Sequence, residues 1–336
     1  MENDLVHKVG LISSNHKYNR NNFLPATLHC LTNIKFLTNF LKNFNKKFLK
    51  GKDDEQLIQE LTSYRNLSKQ LAGSKDNMEP INTEEFEKAL NYERINKENC
   101  NPKFLIEKII KEFNNYFVDK FKDTTIQDKI SISLQSIIKC TICKKYVEED
   151  KKVEEKKYLE FNFIDFKESE ANETKIIDVY DCLNNYTKTK ENKEMFCNNC
   201  KEKTTHEIKT IFRKLPEVLT IFVEYGNDKN FKLEKNIKFN EDLDFEDEEN
   251  VSDNLKKQKY YLSSLICVRE IMNAKKEHFY TFCRGSKNDK FICYNGEKVH
   301  EVQNIKNKIE KEGINLSDRK ERFPYLLIYT SHSTEE

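Results

Sequence analysis

EHFYTFCRGSKNDKFICYNGEKVHEV, residues 277–302, decides how this chain folds. Within it, HFYTFCR and KFICYN are short runs of aromatic and β-branched residues, which is the signal of β-strands. Runs of the same texture stand on either side: ISISL from Ile130, YLEFNFI from Tyr158, VLTIFVEY from Val218, YYLSSLICV from Tyr260 and PYLLIYT from Pro324. Their spacing is that of an antiparallel sheet linked by hairpins, so strands are predicted from about residue 130 onward.

Upstream the pattern is helical. Residues 24–43, LPATLHCLTNIKFLTNFLKN, predict one amphipathic helix, because Leu24, Leu28, Leu31, Ile34, Leu37 and Leu41 fall on one arc. Asn21 or Asn22 is its expected cap, and Pro25 is tolerable only in its first turn. Shorter helical stretches such as 54–71 follow, then a strong second helix in FLIEKIIKEFNNYF, residues 104–117. Two charged runs, Glu148 to Lys157 and Glu241 to Asp253, interrupt the strands and are expected as solvent-exposed loops. No internal repeat is visible.

Composition narrows the function classes. The 336 residues suffice for one large domain with a real core. Lys plus Arg number 58 and Asp plus Glu 57, so a net charge of +1 favours no nucleic-acid partner through long-range attraction. With 23 Phe and 15 Tyr the chain is too aromatic to be disordered throughout, despite 34% charged residues. The start, MENDLVHKVG, has no apolar export signal, and no run is apolar enough to span a bilayer. A soluble intracellular protein, cytoplasmic or nuclear, is therefore expected, with no membrane partner.

Ten cysteines without an export signal point to reduced thiols and a metal site rather than a disulfide framework. Cys140 and Cys143 form one CxxC pair, and Cys197 and Cys200 form a second. Zinc takes four soft ligands in a tetrahedron, and two such knuckles supply them when a β-hairpin brings the pairs together. No position is left open for substrate, so the zinc is expected to be structural. Four unligated thiols are the plain alternative.

Ordered motifs add a resemblance. The opening VGLISSNHKYNRNNFLPATLHCL resembles the cysteine box of ubiquitin-specific proteases, roughly GLxNLGNTCYMNSxLQxL. Leu24, Leu28, His29 and Leu31 take that family's Met, Leu, Gln and Leu positions, and Gly10 and Leu11 match its Gly-Leu if the intervening loop is about four residues longer. KLPEVLTIFVEYG (214–226) resembles KLPxVLxxxLKRF, EHFYTFCR resembles GHYxAYVR, FICYNGEKVHEV resembles WYxFDDxxVxxV, and PYLLIYT resembles AYxLFY. The two CxxC pairs stand where the family carries its fingers zinc. The resemblance implies an α+β, papain-like ubiquitin-specific-protease fold: a helical thumb (about 8–130), zinc-bearing β fingers (131–213) and an antiparallel β palm (214–332). It makes 8–332 a single domain, with 1–7 and 333–336 as flexible tails, and ubiquitin or a ubiquitinated protein the implied partner.

In that family a cysteine thiolate, activated by a histidine that an Asp or Asn orients, cleaves after the ubiquitin C-terminus. His278 and Asn295 match the histidine and its orienting residue. The nucleophile position falls on Asn22, whose carboxamide neither ionises near neutral pH nor accepts an acyl group usefully. No cysteine occurs between residues 1 and 29; Cys30 reads as a core thiol, and Cys100 has no evident base partner. The oxyanion position falls on Arg20, the Gly before the histidine is Glu277, and Cys100 and Lys103 replace acidic residues that in relatives hold the ubiquitin tail. His278 itself is either a relic kept by packing or an ordinary strand histidine; His206 and His300 read as surface residues. Three function classes follow: an inactive ubiquitin-binding or scaffolding module, such as a complex subunit; an active cysteine deubiquitinase; and a structural protein that no longer meets ubiquitin.

Overall fold

A computed structural model describes residues 9–12, 23–43, 55–73, 79–90, 101–121, 123–147, 153–162, 178–187, 191–224, 239–245, 251–252, 255–271, 276–285, 290–305 and 322–331. In chain order its elements are β1 (Leu11–Ile12), α1 (Phe23–Thr32), α2 (Lys35–Asn43), α3 (Glu55–Ala72), β2 (Ile81–Asn82), α4 (Glu84–Ala89), α5 (Pro102–Phe121), α6 (Thr125–Ile130), β3 (Ile132–Cys140), β4 (Tyr146–Val147), β5 (Val153–Lys156), β6 (Leu159–Asn162), α7 (Val179–Thr187), β7 (Glu191–Cys197), β8 (Glu202–Lys214), β9 (Val218–Glu224), β10 (Asp242–Asp244), β11 (Lys259–Ile271), β12 (Lys276–Arg284), β13 (Phe291–Asn295), β14 (Lys298–Val302) and β15 (Arg322–Ser331). Two compact units divide the chain: Met1–Ile126 with Ser263–Ile328, and Gln127–Leu262 with Tyr329–Glu336.

In the first unit, the single amphipathic helix expected over 24–43 is instead two helices, α1 and α2. The break has a hydrogen-bonding cause. The Asn33 N–H is shared between the His29 and Cys30 carbonyls and the Ile34 N–H reaches back to Leu31 O, which tightens the last turn of α1. The Asn33 side chain then donates to Ser263 O at 2.9 Å and to Ser264 Oγ at 3.1 Å on β11, and Thr38 Oγ1 donates to the Thr32 carbonyl at 2.8 Å. All ten residues of α1 are buried, so it is a core helix rather than a surface one. Its two threonines bond to its own carbonyls: Thr27 to Phe23 O and Thr32 to Leu28 O. The helix expected over 104–117 is longer, and Asn101 Oδ1 caps it by accepting the Phe104 N–H at 2.9 Å, with Pro102 in the first helical position.

The strands of this unit run in the order β14-β13-β12-β11-β15. Antiparallel registers pair Ser264–Ile271 with Lys276–Cys283, Thr281–Arg284 with Phe291–Tyr294, and Phe291–Asn295 with Lys298–Val302. The turn between β13 and β14 is a two-residue loop, Gly296-Glu297, with Gly296 at φ 60°, a conformation glycine adopts without steric cost. α1 lies on this sheet: Thr281 Oγ1 donates to Ala26 O at 2.8 Å, and His29 stacks on Tyr294 with ring centroids 3.8 Å apart. A two-residue parallel pair, β1 with β2, places Gly10 beside the β13–β14 turn.

The second unit carries a ribbon of strands in the order β4-β3-β8-β7, with β5 on β3. It also holds β6, β9 and the end of β15 in one sheet, with β10 on the start of β11. Both expected exposed loops are corrected in part. Residues 153–156 of the first charged run form β5, antiparallel to β3, an edge whose charged side chains face solvent. In the second run, β10 pairs with β11 and buries Leu243, next to buried Phe245. Residues 148–152, 246–250 and 253 of these runs lie outside the described residues. The pairing of β6 with β9 departs from the antiparallel expectation: the two are parallel, with α7 in the long crossover that such pairing requires. Among the described residues no helix is long and apolar enough to cross a membrane.

Candidate functional site

His278 is placed by β12 and Asn295 by the end of β13, strands whose register is set by Thr281, three residues from His278, opposite Tyr294, the residue before Asn295, and by the tight turn at Gly296. The structure brings the two together: His278 Nε2 lies 2.6 Å from Asn295 Oδ1. A carboxamide oxygen only accepts, so Nε2 carries the proton and the basic lone pair is on Nδ1. That is the tautomer a general base needs. Gly10 is part of this arrangement. A Cβ there would stand 2.6 Å from Gly296 O and 2.7 Å from Glu297 O, so only glycine lets the β1 backbone approach the turn that carries Asn295.

The remaining positions of the expected centre divide. Asn22, Arg20 and Cys100 lie outside the described residues, as does the side chain of Glu277. Lys103 sits in the first turn of α5, half-buried. Cys30 is fully buried in α1, and its thiol is pushed well above the ordinary range, first by burial and then by Cys283. It is a core thiol and not a thiolate. His300 is exposed, but His206, expected at the surface, is 0% exposed. It stands opposite Cys140 on the inner side of the ribbon, with Nδ1 2.9 Å from the Thr204 carbonyl.

Cys140, Cys143, Cys197 and Cys200 come together at the tip of the ribbon, their sulphurs all within 4.8 Å of one another. The two knuckles are built alike. Lys144 N–H returns to Cys140 O at 3.0 Å and Lys201 N–H to Cys197 O at 2.8 Å, and both lysines are left-handed, at φ 58° and 62°. Sulphur pairs stand 3.9 Å (Cys140 to Cys200) and 3.6 Å (Cys143 to Cys197) apart. These straddle the edge of about 3.8 Å in a tetrahedron of ligands at about 2.3 Å from zinc. The Thr204 hydroxyl, 3.2 Å from Cys140 Sγ, is the main cause that holds this thiol down to about 6, and the Cys200 N–H lowers Cys197. Cys200 goes the other way, to about 12, through burial and then the crowding of Cys197, Cys143 and Cys140. Sulphurs so close resist ionising together, and a divalent cation removes that penalty.

A family model for the ubiquitin carboxyl-terminal hydrolases matches residues 15–329. The chain belongs to the ubiquitin carboxyl-terminal hydrolase family. No curated protein matches it significantly. The match spans the Asn22 position, the four cysteines, His278 and Asn295. This ubiquitin carboxyl-terminal hydrolase chain accordingly has the α+β ubiquitin-specific-protease fold, with helices and antiparallel sheets in the expected order. Sequence reasoning did not single out Thr204, which carries no motif, nor a positional role for Gly10.

Proposed function

We propose that this chain is a catalytically inactive ubiquitin carboxyl-terminal hydrolase that binds ubiquitin or a ubiquitinated protein as a recognition or scaffolding module in the cytoplasm or nucleus. One observation carries the reading: no cysteine precedes residue 30, and Cys30 is buried in α1 with its thiol pushed up. Cysteine hydrolysis requires a thiolate at a helix N-terminus beside a base. Here the helix start is preceded by Asn22, and the base has nothing to deprotonate there. Residues 8–332 act in this proposal as one thumb, fingers and palm domain. Cys140, Cys143, Cys197 and Cys200 hold a structural zinc, which the sulphur spacing supports.

The second reading, an active deubiquitinase, is favoured by the His278–Asn295 hydrogen bond, which is what a working dyad looks like. A ubiquitin probe with a C-terminal electrophile separates the two. The expected result is no covalent labelling together with saturable chemical-shift changes when ubiquitin is titrated. Labelling lost in Cys30→Ala or Cys100→Ala establishes the active reading, and no shift changes at all establishes a protein that no longer meets ubiquitin. Elemental analysis is expected to give about one zinc per chain.

A further inference from the structure

We propose that Thr204 is a positioning residue of the cysteine centre, its hydroxyl fixing the Cys140 sulphur, and that His206 holds Thr204 in place. The inference rests on the zinc reading above. His206 is the direct neighbour of Cys140 across the β3–β8 ladder, and Thr204, two residues along, shares that face. Its Oγ1 therefore meets Cys140 Sγ diagonally, at 3.2 Å, with Thr204 only 5% exposed. A metal-bound cysteine has no proton, so the hydroxyl is the donor in this contact. The β-branched side chain has few χ1 options, and its hydroxyl is thus aimed before any ion arrives.

The two knuckles share backbone donors: the Cys200 N–H meets Cys197 Sγ at 3.5 Å, and the Cys143 and Ile142 N–H groups serve Cys140 in the same way. Thr204 adds to Cys140 a side-chain donor from a neighbouring strand. His206, fully buried, donates from Nδ1 to the Thr204 carbonyl at 2.9 Å and so anchors the strand segment that presents the hydroxyl. Partners of this kind orient metal ligands, and losing one typically weakens binding by about 10–100-fold.

The test compares full-length wild type, Thr204→Val, Thr204→Ser and His206→Phe. Zinc affinity is read by competition with a chromophoric chelator, and the thiolate-to-metal band is read with cobalt(II) in place of zinc. Thr204→Val is expected to lose about 10–100-fold in affinity and to shift the cobalt band, Thr204→Ser to keep both near wild type, and His206→Phe to fall between. Far-UV circular dichroism reports whether each variant folds. Wild-type affinity in Thr204→Val overturns the inference, and so does Thr204→Ser failing as badly as Thr204→Val, which would mean that the methyl matters and not the hydroxyl. Wild type that binds neither zinc nor cobalt overturns the zinc reading itself.

Discussion

Two lysines and one glycine hold backbone conformations with measurable consequences. Lys144 and Lys201 stand at φ 58° and 62°, where a Cβ costs about 1–2 kcal/mol. Glycine has no Cβ but loses more freedom on folding, which offsets part of the relief. Lys144→Gly and Lys201→Gly are therefore expected to stabilise the metal-loaded protein by up to about 1 kcal/mol, and alanine at either position to gain nothing. Denaturant midpoints check this; equal effects from glycine and alanine would mean that lost charge and not backbone strain is being measured. Gly10 has the opposite sign. The Cβ of Gly10→Ala meets two backbone oxygens at 2.6 and 2.7 Å that no rotamer change can clear. A loss of about 1–3 kcal/mol is expected. Because those oxygens belong to Gly296 and Glu297, the His278 imidazole resonances should also move as Asn295 is displaced. Unchanged resonances with full stability would show that β1 yields instead.

Between helices, the most telling contact is ionic. Glu60 of α3 is 2% exposed and takes Lys108 of α5 at 3.3 Å on each oxygen; Gln56 donates to it at 3.1 Å, and Lys108 also reaches Glu112 at 2.6 Å. Burial raises its carboxyl above the ordinary value, with Gln56 and Lys108 opposing and Glu112 reinforcing. An acid with a raised folded pKa binds more protons in the native state, so its contribution falls as pH rises through that folded value and is greatest below the unfolded value of about 4.3. Glu60→Gln keeps the shape and removes the titration. The variant is expected to gain on wild type in urea midpoints as pH rises from about 4.3 through the raised folded value, and to hold that gain above it; a constant gap, or wild type gaining with pH, would show that the Lys108 pair outweighs burial. Elements of this kind were readable to very different degrees. The strands around His278 and Tyr294 are legible as runs of aromatic and β-branched residues, consecutive members 279–283 being buried, and the helix around Phe113 is legible by its apolar periodicity. β7 and β8, ENKEMFC and EKTTHEIKTIFRK, show little, since their pairing is secured by cross-strand bonds and by the cysteine knuckles at their tip. The all-round burial of α1 was hidden because Thr27 and Thr32 turn their hydroxyls onto their own helix, so polarity did not mark a solvent face. His206, expected at the surface, is buried inside the ribbon, where the Thr204 carbonyl takes its Nδ1–H. The pairing of His278 with Asn295 followed from motif resemblance, as nothing in their separation of 17 residues implies a contact.

Across the whole molecule, the candidate centre gathers residues from both ends of the chain. Thr281 and Ala26, which dock α1 against the His278 strand, are 255 residues apart, and Asn33 reaches Ser263 across 230. A centre assembled in this way can lose one part while packing preserves the rest, which under the proposed inactive reading accounts for a His278–Asn295 pair in a chain with no cysteine before Cys30. The same logic governs repair. Asn22→Cys returns a nucleophile before α1, and His278 is already held in the Nε2–H tautomer by Asn295. It does not return the donor expected where Arg20 stands, worth about 3 kcal/mol of transition-state stabilisation in hydrolases of this kind, or roughly 100-fold in rate. Nor does it shorten the Glu277 side chain to the family's glycine or restore acidic groups at Cys100 and Lys103. Catalytic groups act as a unit, so one restored member recovers little. On a fluorogenic ubiquitin substrate, Asn22→Cys is expected to remain at least about 100-fold slower than Asn22→Cys/Arg20→Asn/Glu277→Gly, and wild type to show no turnover. Rates from Asn22→Cys that match the triple variant would mean that the thiol was the only part lost, and wild-type turnover surviving both Cys30→Ala and Cys100→Ala would mean that none was.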